Sequence, residues 1–291
     1  MCPIKLTLLI CTRNRAAALE RCLDSISQPE MVEVGGELLL VDNGSSDETP
    51  QVMRAFKDTA PFPVEIVTEP VAGLSRARNA GLAKARGEVI VFSDDDCYLA
   101  QGFLTTASCV FDSGQFHFCC GRTLLYDPTD SAYGCMTEEK FSLFPPNSFI
   151  NAGEIQGTNM IFHRRVIERV GGFDPMLGAG TPFRCEDIDY CGRASMQGFA
   201  GAYVPELTVY HHHGRKPGSQ DLERIQKDND YARGAYYMKF ILLGKMLYAR
   251  EWLRHARKRS QRRIALRELN GGIRYAWARF RKNRENGGDH A

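Results

Sequence analysis

Four short apolar runs, Lys5–Cys11, Leu38–Val41, Val64–Thr68 and Glu88–Ser93, punctuate the first third of the chain, and segments with helical spacing separate them. Ala16–Ser27 places Leu19, Cys22, Leu23 and Ile26 at steps of three and four, and Thr49–Phe56 and Ser75–Ala85 carry shorter amphipathic faces. Continuous apolar strands read as buried on both faces, and alternation with helices builds βαβ units around a parallel sheet. The fold class is therefore α/β with a mostly parallel sheet. Its 291 residues and 43% hydrophobic content allow a sizeable core and exclude a chain disordered throughout. The longest apolar stretches, such as Leu6–Cys11 and Phe240–Leu243, fall far short of the ~20 residues that cross a bilayer. The first residues lack the pattern of a secretory leader, so the chain is expected to begin at Met1 and to work in the cytoplasm.

Open α/β sheets bind ligands beyond the carboxyl ends of their strands. Here those ends are polar: Thr12-Arg13-Asn14, then Asp42-Asn43-Gly44-Ser45, then Asp94-Asp95-Asp96. Three adjacent carboxylates repel one another unless a cation neutralises them. A divalent metal is the simplest such cation, and a capped helix start with solvated acids is the other reading. Hard oxygen ligands suit Mg²⁺ or Mn²⁺, and an imidazole from His211-His212-His213, which follows the strand-like Leu207–Tyr210, would tilt the choice towards Mn²⁺. Asp42 and Asn43 can hold a nucleoside by hydrogen bonds or can form a plain turn. Glu186-Asp187 opens a helical segment of about Cys185–Gln197; such a pair either complements the helix dipole or, facing a cleft, takes a proton from a hydroxyl. Neither GxxxxGK[ST] nor GxGxxG occurs, which argues against ATP hydrolysis and dinucleotide redox chemistry.

Strand-like Phe116–Leu125 and Glu154–Phe162 flank a loop from Asp127 to Gly153 that is expected to face an acceptor, and a helix over Arg164–Val170 ends at Gly171-Gly172. Ten cysteines, from Cys2 to Cys191, are scattered without a CxxC pair, so free packing thiols in a reducing compartment are expected. Charge is divided unevenly. Lys239–Arg284 carries 15 Lys and Arg against 2 acids, while the rest of the chain carries 22 against 33. An acidic body handling an anionic substrate needs a mediating cation. The basic segment combines Phe240, Ile241, Leu242, Leu243, Met246, Leu247, Tyr248, Trp252 and Leu253 with Arg257-Lys258-Arg259 and Arg262-Arg263. It reads either as an amphipathic helix on an anionic membrane surface or as a helix packed on the body with a solvated basic face. No base-reading module accompanies it, so nucleic acid is not an expected partner.

In order, Leu8–Asn14 (LLICTRN), Glu37–Thr49 (ELLLVDNGSSDET), Ala72–Cys97, Gly157–Asp174 and Glu186–Glu206 resemble family 2 of the glycosyltransferases over about residues 4–213. The resemblance implies a GT-A fold: a Rossmann-like nucleotide-binding half, about 1–100, an acceptor half, about 101–215, and here a helical basic extension, 216–291. It implies inverting transfer of a sugar from a nucleoside diphosphate sugar to a hydroxyl acceptor. By the same carry-over Thr12, Arg13, Asn14, Asp42, Asn43, Arg78, Asp94 and Asp95 bind the nucleotide, with Arg78 near the diphosphate. Asp94-Asp95-Asp96 matches the DxD motif, Asp96 and His211 would hold Mn²⁺ or Mg²⁺ with His213 as the alternative to His211, Gly172, Phe173, Asp174 and Glu186 would meet the acceptor, and Asp187 would be the base. Asn43 stands where many members have a second Asp, and the QxxRW element of processive synthases is absent, so a single addition is expected. A lipid-linked glycan is the kind of acceptor that would explain a membrane-seeking tail. A nucleotidyltransferase and a non-catalytic sugar-nucleotide or membrane-binding protein of the same fold are the competing readings.

Overall fold

The computed structural model describes residues 3–258 and 262–287; Cys2 and Arg259 lie outside the described residues. In chain order the elements are β1 (Leu6–Thr12), α1 (Ala16–Asp24), α2 (Gln28–Glu33), β2 (Gly36–Asp42), α3 (Thr49–Thr59), β3 (Val64–Thr68), α4 (Leu74–Leu82) and β4 (Val89–Asp94). They continue with β5 (Cys97–Leu99), α5 (Phe103–Cys109), β6 (Phe118–Leu125), β7 (Ser142–Phe144), β8 (Asn159–His163), α6 (Arg164–Val170), α7 (Glu186–Met196) and β9 (Gly201–His211). Three helices close the chain: α8 (Gln220–Leu242), α9 (Met246–Lys258) and α10 (Arg262–Gly287). The segment read as one helix over Ala16–Ser27 stops at Asp24, and a separate α2 begins after Ser27, whose side chain caps it with Pro29 just inside.

One nine-stranded sheet runs β3-β2-β1-β4-β8-β6-β9-β5, with β7 added on β9. β3, β2, β1 and β4 are parallel, as their apolar runs require. β8 then runs antiparallel to β4 and to β6, while β6 and β9 are parallel with a register shift between Cys120 and Arg122. Alternation along β1 separates two cores. Leu6, Leu8 and Ile10 pack with Leu19, Cys22, Met31 and Met53 on one face of the sheet, and Leu9 packs with Ala77, Phe92, Phe173 and Tyr190 on the other. β9 is longer than its readable part, Leu207–Tyr210, because Gly201, Ala202 and Pro205 mask its start.

A third core lies between α7 and the closing helices. Leu177, Phe183, Cys185 and Ile188 pack with Tyr236, Tyr237, Phe240, Tyr248 and Tyr275. α8 and α10 approach at glycine: a Cβ on Gly234 would lie 1.7 Å from the Glu268 carbonyl oxygen, and one on Gly271 would lie 1.9 Å from that of Tyr231. Buried Lys239 crosses from α8 to Asp174 (2.8 Å) and to Asp189 of α7 (2.7 Å). Within the basic segment, Phe240, Tyr248 and Tyr275 pack on the body. The nine described cysteines are all free thiols. No helix among the described residues is long and apolar enough to cross a membrane.

Candidate active site

The ends of β1, β2 and β4 meet at one edge of the sheet. Thr12, the last residue of β1, donates its hydroxyl to Asp95 Oδ2 at 2.5 Å. Asn14 takes a left-handed backbone (φ +53°), and its Oδ1 accepts the Ser46 N–H at 2.7 Å while its own N–H reaches Ser45 Oγ. The loops after β1 and β2 are thereby tied together. Asp42 Oδ1 accepts the Ser45 N–H and closes the turn. Asn43 donates to the carbonyls of Glu69 and Val71 and accepts the Gly73 N–H, so its whole amide holds the approach to α4. Arg13 is exposed on the same rim.

The three aspartates diverge. Asp94 faces Arg78 (3.6 Å), Asp95 meets Thr12 and Arg15 Nε (3.2 Å), and Asp96 meets Arg15 (2.7 Å) and His211 Nε2 (3.3 Å). Burial pushes the Asp95 carboxyl up to about 7 against the pull of Arg15 and Thr12. Asp96 is buried too, yet its His211 and Arg15 partners outweigh that and hold it well below the usual carboxylate range. The sheet brings His211 there: Cys97 of β5 pairs with His211 of β9 in antiparallel register, and the His212 N–H donates to the Asp96 carbonyl. Of the three histidines only His211 faces Asp96. His212 bonds the Tyr98 hydroxyl, and His213 lies against the Ser131 carbonyl and Asp130.

Asp96, Cys97 and His211 present ligand atoms within 4.8 Å of one another. Burial lifts the Cys97 thiol well above its ordinary range, and its soft sulfur suits neither Mg²⁺ nor Mn²⁺. What remains is a carboxylate and an imidazole, a donor pair that fits Mn²⁺, with Mg²⁺ drawing on the carboxylate.

Across the site, α7 begins with Glu186 and Asp187. Asp187 Oδ2 accepts the Gly157 N–H (3.0 Å) and Oδ1 accepts the Ile188 N–H (2.7 Å), while burial raises its carboxyl above the usual range against those bonds. Arg78, on α4, is buried between the corner and α7. It is 2% exposed, bonds Glu186 Oε1 (3.1 Å) and the Gly157 carbonyl, and packs on the edge-to-face pair Phe92 and Phe173, with ring centroids at 5.7 and 5.4 Å. The expectation that it reaches the diphosphate is corrected to a link between Asp94 and Glu186. Phe173 likewise belongs to the core, stacked on Tyr190 at 4.2 Å, and Asp174, half-buried, is taken by Lys239. Gly172 is exposed beside Asn79, which bonds both backbone groups of Phe173. Arg15, Asn79 and Lys239 escaped the reading of the sequence; for Arg15 the signal was a second cation right after Asn14, at a strand end.

Fold and site together define an α/β scaffold whose acidic strand-end corner is linked through Arg78 to a buried acidic helix start. The sequence profile described as Glycosyl transferase family 2 matches residues 7–171, and the chain belongs to that family. It has the GT-A fold. Among relatives it is 26% identical over 207 residues to glycosyltransferase AglE of Haloferax volcanii, covering 70% of this chain and 66% of that one. It is 25% identical over 227 residues to the putative glycosyltransferase EpsH of Bacillus subtilis, covering 76% and 63%. The chain thus spans just under two thirds of those relatives. Similar solved structures include a mannosyltransferase, PcManGT of Pyrobaculum calidifontis, in complex with GDP-Man and Mn²⁺ (TM-score 0.64, 18% identity, covering 94% of this chain and 87% of that one). Another is TarS 1-349 of Staphylococcus aureus in complex with UDP (0.62, 15% identity, covering 88% and 72%).

Proposed function

We propose that the chain is an inverting, metal-dependent glycosyltransferase that adds a single sugar from a nucleoside diphosphate sugar to a hydroxyl acceptor. The observation that carries this reading is the pairing of Asp96 with His211 at 3.3 Å on the strand-end edge, tied through Asp94, Arg78 and Glu186 to the helix that starts with Asp187. Thr12, Arg13, Asn14, Asp42, Asp94 and Asp95 line the nucleotide side, and Asn43 holds its rim. Asp96 and His211 would hold Mn²⁺ or Mg²⁺, which when bound supplies positive charge against the donor diphosphate. Asp187 removes the proton from the acceptor hydroxyl, and its raised affinity for a proton suits a base. Gly157 and Ile188 N–H groups aim that carboxylate, and Glu186 beside it is paired with Arg78, a cation it shares with Asp94. Displacement in one step on the face opposite the leaving group inverts the anomeric centre.

The acceptor side lies between the 127–153 loop and the start of α7, and a lipid-linked glycan met at the cytoplasmic membrane face, in surface polysaccharide or glycoconjugate synthesis, is the proposed acceptor class. The relatives named above are glycosyltransferases, and two solved neighbours carry a sugar nucleotide or its nucleotide, which supports a sugar-nucleotide donor over a nucleoside triphosphate. Calorimetric titration with UDP, GDP, dTDP and CMP, each with and without Mn²⁺, tests the reading. One nucleotide is expected to bind only with metal and to lose binding in Asp96→Ala; metal-independent binding, or none, refutes it.

A further inference from the structure

The last helix carries an apolar ridge that nothing in the described structure covers. In α10, Glu268 pairs with Arg233 of α8, Gly271 abuts the Tyr231 carbonyl and Tyr275 packs edge-on to Phe183, so this side faces the body. On the opposite side Leu266, Leu269, Ile273, Trp277 and Phe280 recur at steps of three and four, each between 48% and 64% exposed. Arg263, Arg267, Arg274 and Arg281 follow one flank at steps of four and seven. Arg281 lies over the Trp277 ring at 4.8 Å and Arg284 over the Phe280 ring at 5.9 Å. Of the apolar residues that drew attention in the sequence, Phe240 and Tyr248 are buried, while Leu242, Leu243, Met246 and Leu253 are exposed on α9 or just before it.

We propose that this face of α10 seats the protein on an anionic lipid surface. A row of apolar side chains flanked by arginines fits the boundary between acyl chains and acidic headgroups, where Trp and Arg are both at home. A second copy fits it poorly, because the segment Lys239–Arg284 carries 15 basic residues against 2 acids and two such faces would oppose like charges. The proposal deepens the membrane-face location given above and is read without donor or acceptor.

Flotation of the full chain with vesicles of phosphatidylcholine, with and without phosphatidylglycerol, tests it. Intact protein should float only with the anionic vesicles. Ile273→Glu with Phe280→Glu should weaken partition by about tenfold or more, and Arg263→Gln, Arg274→Gln and Arg281→Gln together by about a hundredfold. Circular dichroism should show both variants folded, as exposed positions allow. If the intact chain ignores anionic vesicles, the face and the membrane location both fail. If it floats but the variants float equally, the location stands and this face is wrong. A concentration-dependent dimer that the ridge variants dissociate overturns the proposal in favour of self-association.

Discussion

Asp187 is held in a state that favours its proton, and that has opposite consequences for activity and stability. With the folded-state pKa raised above the unfolded value, the folded protein binds the proton more tightly, so this residue's contribution to stability declines as pH rises from the ordinary carboxylate range towards the raised value. Asp187→Asn removes the buried charge and keeps one acceptor for a backbone N–H. Turnover should fall by about 10²–10⁴-fold, while the thermal midpoint at neutral pH stays level or rises; a variant that keeps its turnover would remove Asp187 from the chemistry. The rate of intact enzyme should climb with pH through a midpoint above the usual carboxylate range and lose that limb in the variant. Arg78→Met behaves in the opposite way. It strands Glu186 and Asp94 without their shared cation, and a buried pair broken on one side costs about 3–5 kcal/mol, which a urea melt reads as a lower midpoint with unchanged slope. Arg78→Lys should recover only part of it, since one ammonium cannot span Glu186, Asp94 and the Gly157 carbonyl.

At the scale of elements, α7 is aimed by α8. Lys239→Ala leaves Asp189, fully buried, with Arg193 alone and frees Asp174, so stability should drop by about 3 kcal/mol or more and kcat should fall with it, because Asp187 sits two residues before Asp189 on the same helix. Gly234→Ala should destabilise by at least a comparable amount, about 3 kcal/mol, since its Cβ would overlap the Glu268 carbonyl and force α8 from α10. A Gly234→Ala protein melting at the parental temperature would show that the two helices do not meet there. Much of the first half was legible because β1, β2 and β4 are uninterrupted apolar strands whose ends carry Thr, Asn and Asp. The roles of Arg78 and Phe173 were not, because a side chain's direction depends on the partner that packs it: Arg78 reads as one more polar residue of an amphipathic helix, α4, but is packed on two aromatic rings in space. Nor could spacing separate Phe240, which faces α7, from Trp277, which faces out.

Across the whole molecule, the acidic body and the basic closing helices form one structure with three adjoining cores. A chain ended after Ser219 uncovers Leu177, Phe183 and Ile188 and loses the cation beside Asp189. It should be poorly soluble and lack the near-ultraviolet circular dichroism of fixed aromatic packing; cooperative unfolding at the parental midpoint would contradict this. One side of α7 packs on residues made before it, but Ile188 on its other side is covered by the closing helices, made about several seconds of translation later. A nascent or prematurely terminated chain would carry Leu177, Phe183 and Ile188 uncovered, so the closing helices also act as the chain's last protection against aggregation during its own synthesis.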